Sequence, residues 1–132
     1  MDQGPLVIEE IDAGAELARE FDKYEHVKAA FWIKATDDTN RYLYIASDQI
    51  NDTNFTLAYR EVLRLAGRLR SPYLDPFRVK VINAEAPLAK AAVEIHDRFP
   101  GSTAIRFGGK SFGGISAEDV YIYPTPLPAA VS

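Results

Sequence analysis

Apolar and polar side chains alternate from Val27 to Thr36. Val27, Ala29, Phe31, Ile33 and Ala35 take one side, and Lys28, Ala30, Trp32, Lys34 and Thr36 the other, with the period of two that a β-strand requires. The split recurs as Leu43 and Ile45 against Tyr42 and Tyr44, and as Phe77, Val79 and Val81 against Arg78 and Lys80. It returns as Ile105 and Phe107 against Arg106, and as Val120 and Ile122 against Tyr121 and Tyr123. Every charged residue in these runs is basic. The pattern predicts one aliphatic sheet face and one cationic, aromatic face made of Lys28, Trp32, Lys34, Tyr42, Tyr44, Arg78, Lys80, Arg106, Tyr121 and Tyr123. The same composition suits an ordinary amphipathic sheet, since Tyr, Trp and Thr favour strands and Lys protects exposed sheet from aggregation.

Helical spacing fills the gaps. Leu17, Phe21 and Tyr24 form an apolar stripe on an otherwise charged segment from Ala13 to Tyr24. A second helix runs from a cap at Asp52 or Thr53 to about Arg70, with Phe55, Tyr59, Val62, Ala66 and Leu69 along its inner face and Ser71-Pro72 ending it. Pro87 suits the first turn of a third, which reaches Phe99 and stops at Pro100-Gly101. The polar cluster Asp37 to Asn40 makes the first two strands an antiparallel hairpin.

The order α-β-β-α-β-α-β-β implies an α/β (α+β) two-layer sandwich, a mixed sheet of about five strands with helices mainly on one face. The second and third helices, as crossovers, are expected on the aliphatic face, and the acidic first helix at an edge or across the cationic face. The chain then divides into an acidic segment over 1–12, one globular domain over 13–123 and a Pro-rich mobile tail over 124–132.

A chain of 132 residues, 47% hydrophobic and 26% charged, fits one folded domain. The absence of Cys removes disulfides and thiolate chemistry and suits a reducing compartment. Its apolar runs are too short for a membrane helix, and its start lacks the basic and apolar regions of a signal peptide, so a cytoplasmic location without membrane attachment is expected. The net charge of −4 is uneven. Residues 1 to 25 carry eight acids against two bases, a balance of −6, while the remainder carries 13 bases against 11 acids, or +2.

Candidate chemistry is sparse. The run Ala104 to Ser111 fails as a phosphate loop, because Ala104 replaces the first glycine and Phe112-Gly113-Gly114 follows where a helix is needed. Its two Gly pairs fit a hairpin connection able to close over an anion with Lys110. His96 lies in the apolar arc of the third helix, which favours a hydrogen-bonded structural role, and His26 stands at the strand entrance. With two His and no Cys, neither a metal site nor a cofactor is implied. If the second and third strands are parallel neighbours, Ser47, Asp48, Asn51 and Asp52 meet Asn83 and Glu85 at one sheet end, although Asp48 and Asp52 also read as turn and cap residues. Arg60, Arg64 and Arg68 form a like-charged ridge that Glu61 does not relieve.

The expected function is a small non-enzymatic binding or interaction module using the open basic-aromatic face for a protein partner or a second copy of itself. The first alternative is single-stranded nucleic acid or another anionic ligand on that face. The second is an enzyme with a carboxylate site around Asp48, Asp52, Glu85 and Lys110.

Overall fold

The computed structural model describes residues 6–99 and 103–124; the expected Pro-rich tail lies outside them from residue 125 onward. Helix α1 spans Ile8–Asp22, so it begins inside the stretch expected to precede the domain. The Glu10 carboxylate accepts the Val7 N–H at 3.2 Å, satisfying one orphan donor of the first turn. At the other end Asp22 Oδ1 accepts the Val27 N–H at 2.7 Å and ties the helix to the hairpin of β1 (Ala29–Ala35) and β2 (Arg41–Ser47).

Helix α2 (Phe55–Leu69) starts after Asn54 rather than at Asp52 or Thr53. The Asn51 side chain accepts the Thr53 and Asn54 N–H groups at 2.9 and 3.1 Å, which places the turn chemistry one step earlier than a simple cap. Phe77 and Arg78 fall in a 3₁₀ turn, Pro76–Arg78, so β3 is only Val79–Asn83. Helix α3 (Pro87–Arg98) follows, with Pro87 in its first turn as expected. The last hairpin has one arm divided into β4 (Ile105–Phe107) and β5 (Lys110–Phe112), and the other is β6 (Ile115–Ile122), which begins five residues earlier than the alternation indicated. Gly113 and Gly114, at φ 56° and 92°, close it in a backbone geometry that glycine adopts without strain.

The result is a mixed six-stranded sheet in a two-layer α+β arrangement, ordered β3-β2-β1-β6-β4 with β5 also paired to β6. Strands β2 and β3 are parallel and the other pairs antiparallel. Register corrects the expected division of faces. Trp32 sits opposite Leu43, and Phe31 opposite Tyr44, so β2 is turned over relative to the expected grouping, and β3 follows because Leu43 pairs with Val79 and Tyr44 with Lys80. A one-residue difference in hairpin register moves every side chain of a strand to the other face. One face therefore combines Trp32, Lys34, Tyr121 and Tyr123 with Leu43, Ile45, Val79 and Val81. The other combines Phe31, Ile33, Val120 and Ile122 with Tyr42, Tyr44 and Lys80.

Both faces carry core. Helices α1 and α2 cover the Trp32 face, burying Leu17, Phe21, Ala58, Val62 and Leu65 against Leu43, Ile45, Val79 and Val81. Each large aliphatic or aromatic side chain so buried contributes roughly 1.5–3 kcal/mol. Helix α3 and the tip of the last hairpin cover the Phe31 face through Ala89, Ala92 and Phe112. The expected placement of α2 and α3 together is thus replaced by α1 with α2. The reason is topological: β2-α2-β3 joins parallel neighbours, whereas α3 links β3 at one edge to β4 at the other. Its 12 residues extend about 18 Å, close to the roughly 19 Å of four inter-strand spacings.

Candidate functional site

The expected basic-aromatic surface is divided between two faces, and its largest members are buried. Trp32, Lys34 and Tyr123 are 5%, 4% and 2% exposed. The Trp32 indole N–H donates to the Tyr123 hydroxyl at 2.8 Å, and that hydroxyl donates to the Ile11 carbonyl of α1 at 2.6 Å. Burial pushes the Tyr123 phenol well above the ordinary tyrosine range. Gly14 makes the close approach of α1 possible, since a Cβ there would overlap the Tyr123 hydroxyl. Trp32 and Tyr123 are internal groups locked under the acidic helix, which corrects their expected place on an open binding face.

The cations of this face have acidic partners that the strand pattern missed, because β6 starts at Ile115 and so includes Glu118 and Asp119. Lys34 Nζ lies 2.6 Å from Glu118 and donates to the Asp38 carbonyl at 2.8 Å. Asp119 is shared by Arg41 at 3.2 Å and Arg106 at 2.8 Å. The Arg41 side chain is only 5% exposed, so this carboxylate offsets a buried guanidinium. Two further members of the set stand apart. Lys28 reaches Asp48 at 3.6 Å at the opposite sheet end, and the 3₁₀ turn carries Arg78 away from Lys80. The backbone of Lys110 lies in β5.

Part of what remains accessible lies beside β3, the edge strand. On the Phe31 face, Lys80 Nζ stands 4.5 Å from the Tyr42 ring centre and 5.9 Å from that of Tyr44. The Tyr44 ring stacks on Phe31 at 5.4 Å, and burial, followed by the charges of Tyr42 and Asp38, pushes its phenol up. On the α2 side Phe77 is 77% exposed, Phe55 44% and Leu63 39%. Phe55, Tyr59 and Leu63 follow one helical ridge, and the Tyr59 hydroxyl donates to the Pro76 carbonyl, next to Phe77. Phe77 was expected in the core with Val79 and Val81; the 3₁₀ turn directs it outward instead. Among the described residues no strand pairs with the outer edge of β3.

The carboxylate end is built as the parallel pairing required, with Ser47 opposite Asn83. Its groups serve local structure: Asp48 meets Lys28, Glu85 lies 3.7 Å from Lys90, and Asn83 Nδ2 donates to the Ile50 carbonyl. His96 is partly buried and shares the lining of a cleft of about 190 Å³ with His26, Lys28 and Asp97, over a floor that includes Ala29, Val93 and Ile122. His26 Nδ1 lies 3.1 Å from Asp22. Among the described residues no group of three His, Asp or Glu is placed to hold a metal ion. The arginine ridge is also relieved, contrary to expectation: Arg64 makes two hydrogen bonds to Glu61, three residues earlier, at 2.8 and 2.6 Å. No described helix is long and apolar enough to cross a membrane.

No family model, curated protein or solved structure matches this chain.

Proposed function

We propose that the chain is a non-enzymatic interaction module that docks a protein partner along the open edge of β3, with a second copy of itself as the first partner to test. The carrying observation is that edge: the outer side of a five-residue strand, with which no described strand pairs, bordered by Tyr42, Tyr44 and Lys80 on one side and by Phe55, Leu63 and Phe77 on the other. A strand edge supplies main-chain donors and acceptors for an added strand, and the flanking side chains supply selectivity. The charge order supports self-pairing. Arg78 and Lys80 precede Glu85 along the chain, so an antiparallel copy brings the basic end of one strand toward the acidic end of the other.

Light scattering over a concentration series tests the reading. Wild type is expected to dimerise at micromolar concentration, Phe77→Glu to be monomeric with an unchanged melting temperature, and Glu85→Lys to weaken association until Lys80→Glu is added. A wild-type monomer at millimolar concentration overturns self-pairing. Single-stranded nucleic acid is the second reading, supported by Tyr42, Tyr44 and Lys80 alone now that Trp32 is covered.

A further inference from the structure

A different surface, on the Trp32 face, has the makings of a ligand site. Where the loop after α2 passes the first turn of α1, a cleft of about 270 Å³ is lined by Glu10, Trp32, Arg41, Tyr73, Asp75 and Arg78, with Pro72 at its margin. We infer that this cleft binds a small zwitterion of the α-amino-acid class, a molecule bearing one carboxylate and one ammonium group.

Three features lead to that chemistry. The first is charge. Two guanidiniums, Arg41 and Arg78, share the cleft with two carboxylates, Glu10 and Asp75, so a simple anion gains from the first pair and is repelled by the second. A ligand carrying both signs matches both pairs, with a planar guanidinium taking the carboxylate and the acidic groups accepting from the ammonium.

The second is that the charged groups are held in place. Arg41 is buried and fixed by Asp119, whose other partner is Arg106. Glu10 is held by the Val7 N–H at 3.2 Å. Asp75 accepts the Phe77 N–H at 2.9 Å through Oδ1, while its Oδ2 lies 3.7 Å from Arg78 Nε. Groups positioned before binding lose less entropy when a ligand arrives.

The third is the apolar part of the lining. Tyr73, about half exposed, offers ring surface to an ammonium or to an apolar side chain, and the buried Trp32 contributes to the floor. The volume lies just below the roughly 300–1,000 Å³ typical of sites for drug-sized ligands, which restricts the occupant to a small molecule.

The test uses the full chain and two readouts, emission of its single Trp and amide chemical shifts, titrated with L-leucine and L-phenylalanine. Saturable binding at millimolar or lower concentration is expected, weakened about tenfold when the ligand is N-acetylated or its carboxyl is amidated, since each change removes one charged contact. Arg78→Ala and Asp75→Asn should each weaken binding by a similar factor while leaving the melting temperature within about 2 °C, because both side chains are at least one-third exposed. Asn retains the acceptor for the Phe77 N–H, so Asp75→Asn reads charge rather than the turn. The inference is overturned if neither readout responds, or if acetate and the N-acetylated forms bind as well as the free amino acids. It shares Arg78 with the β3 edge, but its readout is ligand binding rather than association, so failure of either leaves the other standing.

Discussion

The same substitution in two helices should move stability in opposite directions. Gly67 lies within α2 with nothing inside 4 Å of the position a Cβ would take. Gly67→Ala should therefore return close to the full helix-propensity gain of about 0.8–1 kcal/mol. Gly14 lies within α1, where an added methyl would overlap the Tyr123 hydroxyl and stand 3.1 Å from two atoms of the Trp32 ring. The helix gain is the same, but overpacking costs roughly 1–3 kcal/mol and disturbing a buried hydrogen bond roughly 1–3 kcal/mol more, for a net loss of about 1–5 kcal/mol. For a chain of this size each kcal/mol shifts the melting temperature by roughly 3–5 °C. Gly67→Ala should rise a few degrees and Gly14→Ala fall, measured by urea and thermal melts with circular dichroism and Trp32 emission. The cause is separable: in a Tyr123→Phe background the hydroxyl is gone, and the cost of Gly14→Ala should shrink by about 1 kcal/mol or more. A stabilising Gly14→Ala, or strict additivity with Tyr123→Phe, would refute the packing argument.

Three further outcomes follow from the charges and the core. Burial raises the Glu25 carboxyl above its ordinary value, and its Oε1 is buried without a hydrogen-bond partner among the described residues. The folded state therefore holds that proton more tightly than the unfolded chain, and stability is lost as pH rises from the unfolded value through the folded one. Glu25→Gln should raise the melting temperature at pH 7, with the gain vanishing near pH 3.5, below the unfolded value of about 4.3. Asp119→Asn removes one charged partner of the buried Arg41, and also that of Arg106, and should cost about 3 kcal/mol, whereas Glu118→Gln, at a side chain 56% exposed, should cost about 1 kcal/mol or less in the same urea melts. Leu17→Ala should cost about 2–5 kcal/mol, because Leu17 is fully buried under the sheet, and deleting residues 1 to 25 should unfold the domain rather than expose an anion-binding face.

Strand and helix positions were readable because they depend on local periodicity. The β1 alternation, the β1–β2 hairpin, the helix start at Pro87 and the parallel β2–β3 pair all follow from neighbouring residues or from connection length. The start of β6 was hidden. Ile115, Ala117 and Val120 do not keep a single period of two, since the pairing with β1 shifts between Lys34 and Ala35, opposite Asp119 and Ala117. That irregularity concealed Glu118 and Asp119, and with them the partners of Lys34, Arg41 and Arg106. An acidic pair beside an apolar run was the available signal. The alternation broke at the very residues that neutralise the face.

The division of the aromatic set had no such signal. Strand β2 offers Leu43 and Ile45 on one side and Tyr42 and Tyr44 on the other, and either pair can be buried. When one sheet face meets water, burial selects the register; here helices lie on both faces, and that selection disappears. The register then rests on the connection between β1 and β2, where Asp38 fixes the turn by accepting the Asn40 N–H at 2.9 Å through its side chain and the Lys34 ammonium at 2.8 Å through its carbonyl. Lys34, read as a surface cation for binding, instead helps place Leu43 beneath α2 and leaves Tyr42, Tyr44 and Lys80 together beside the open edge.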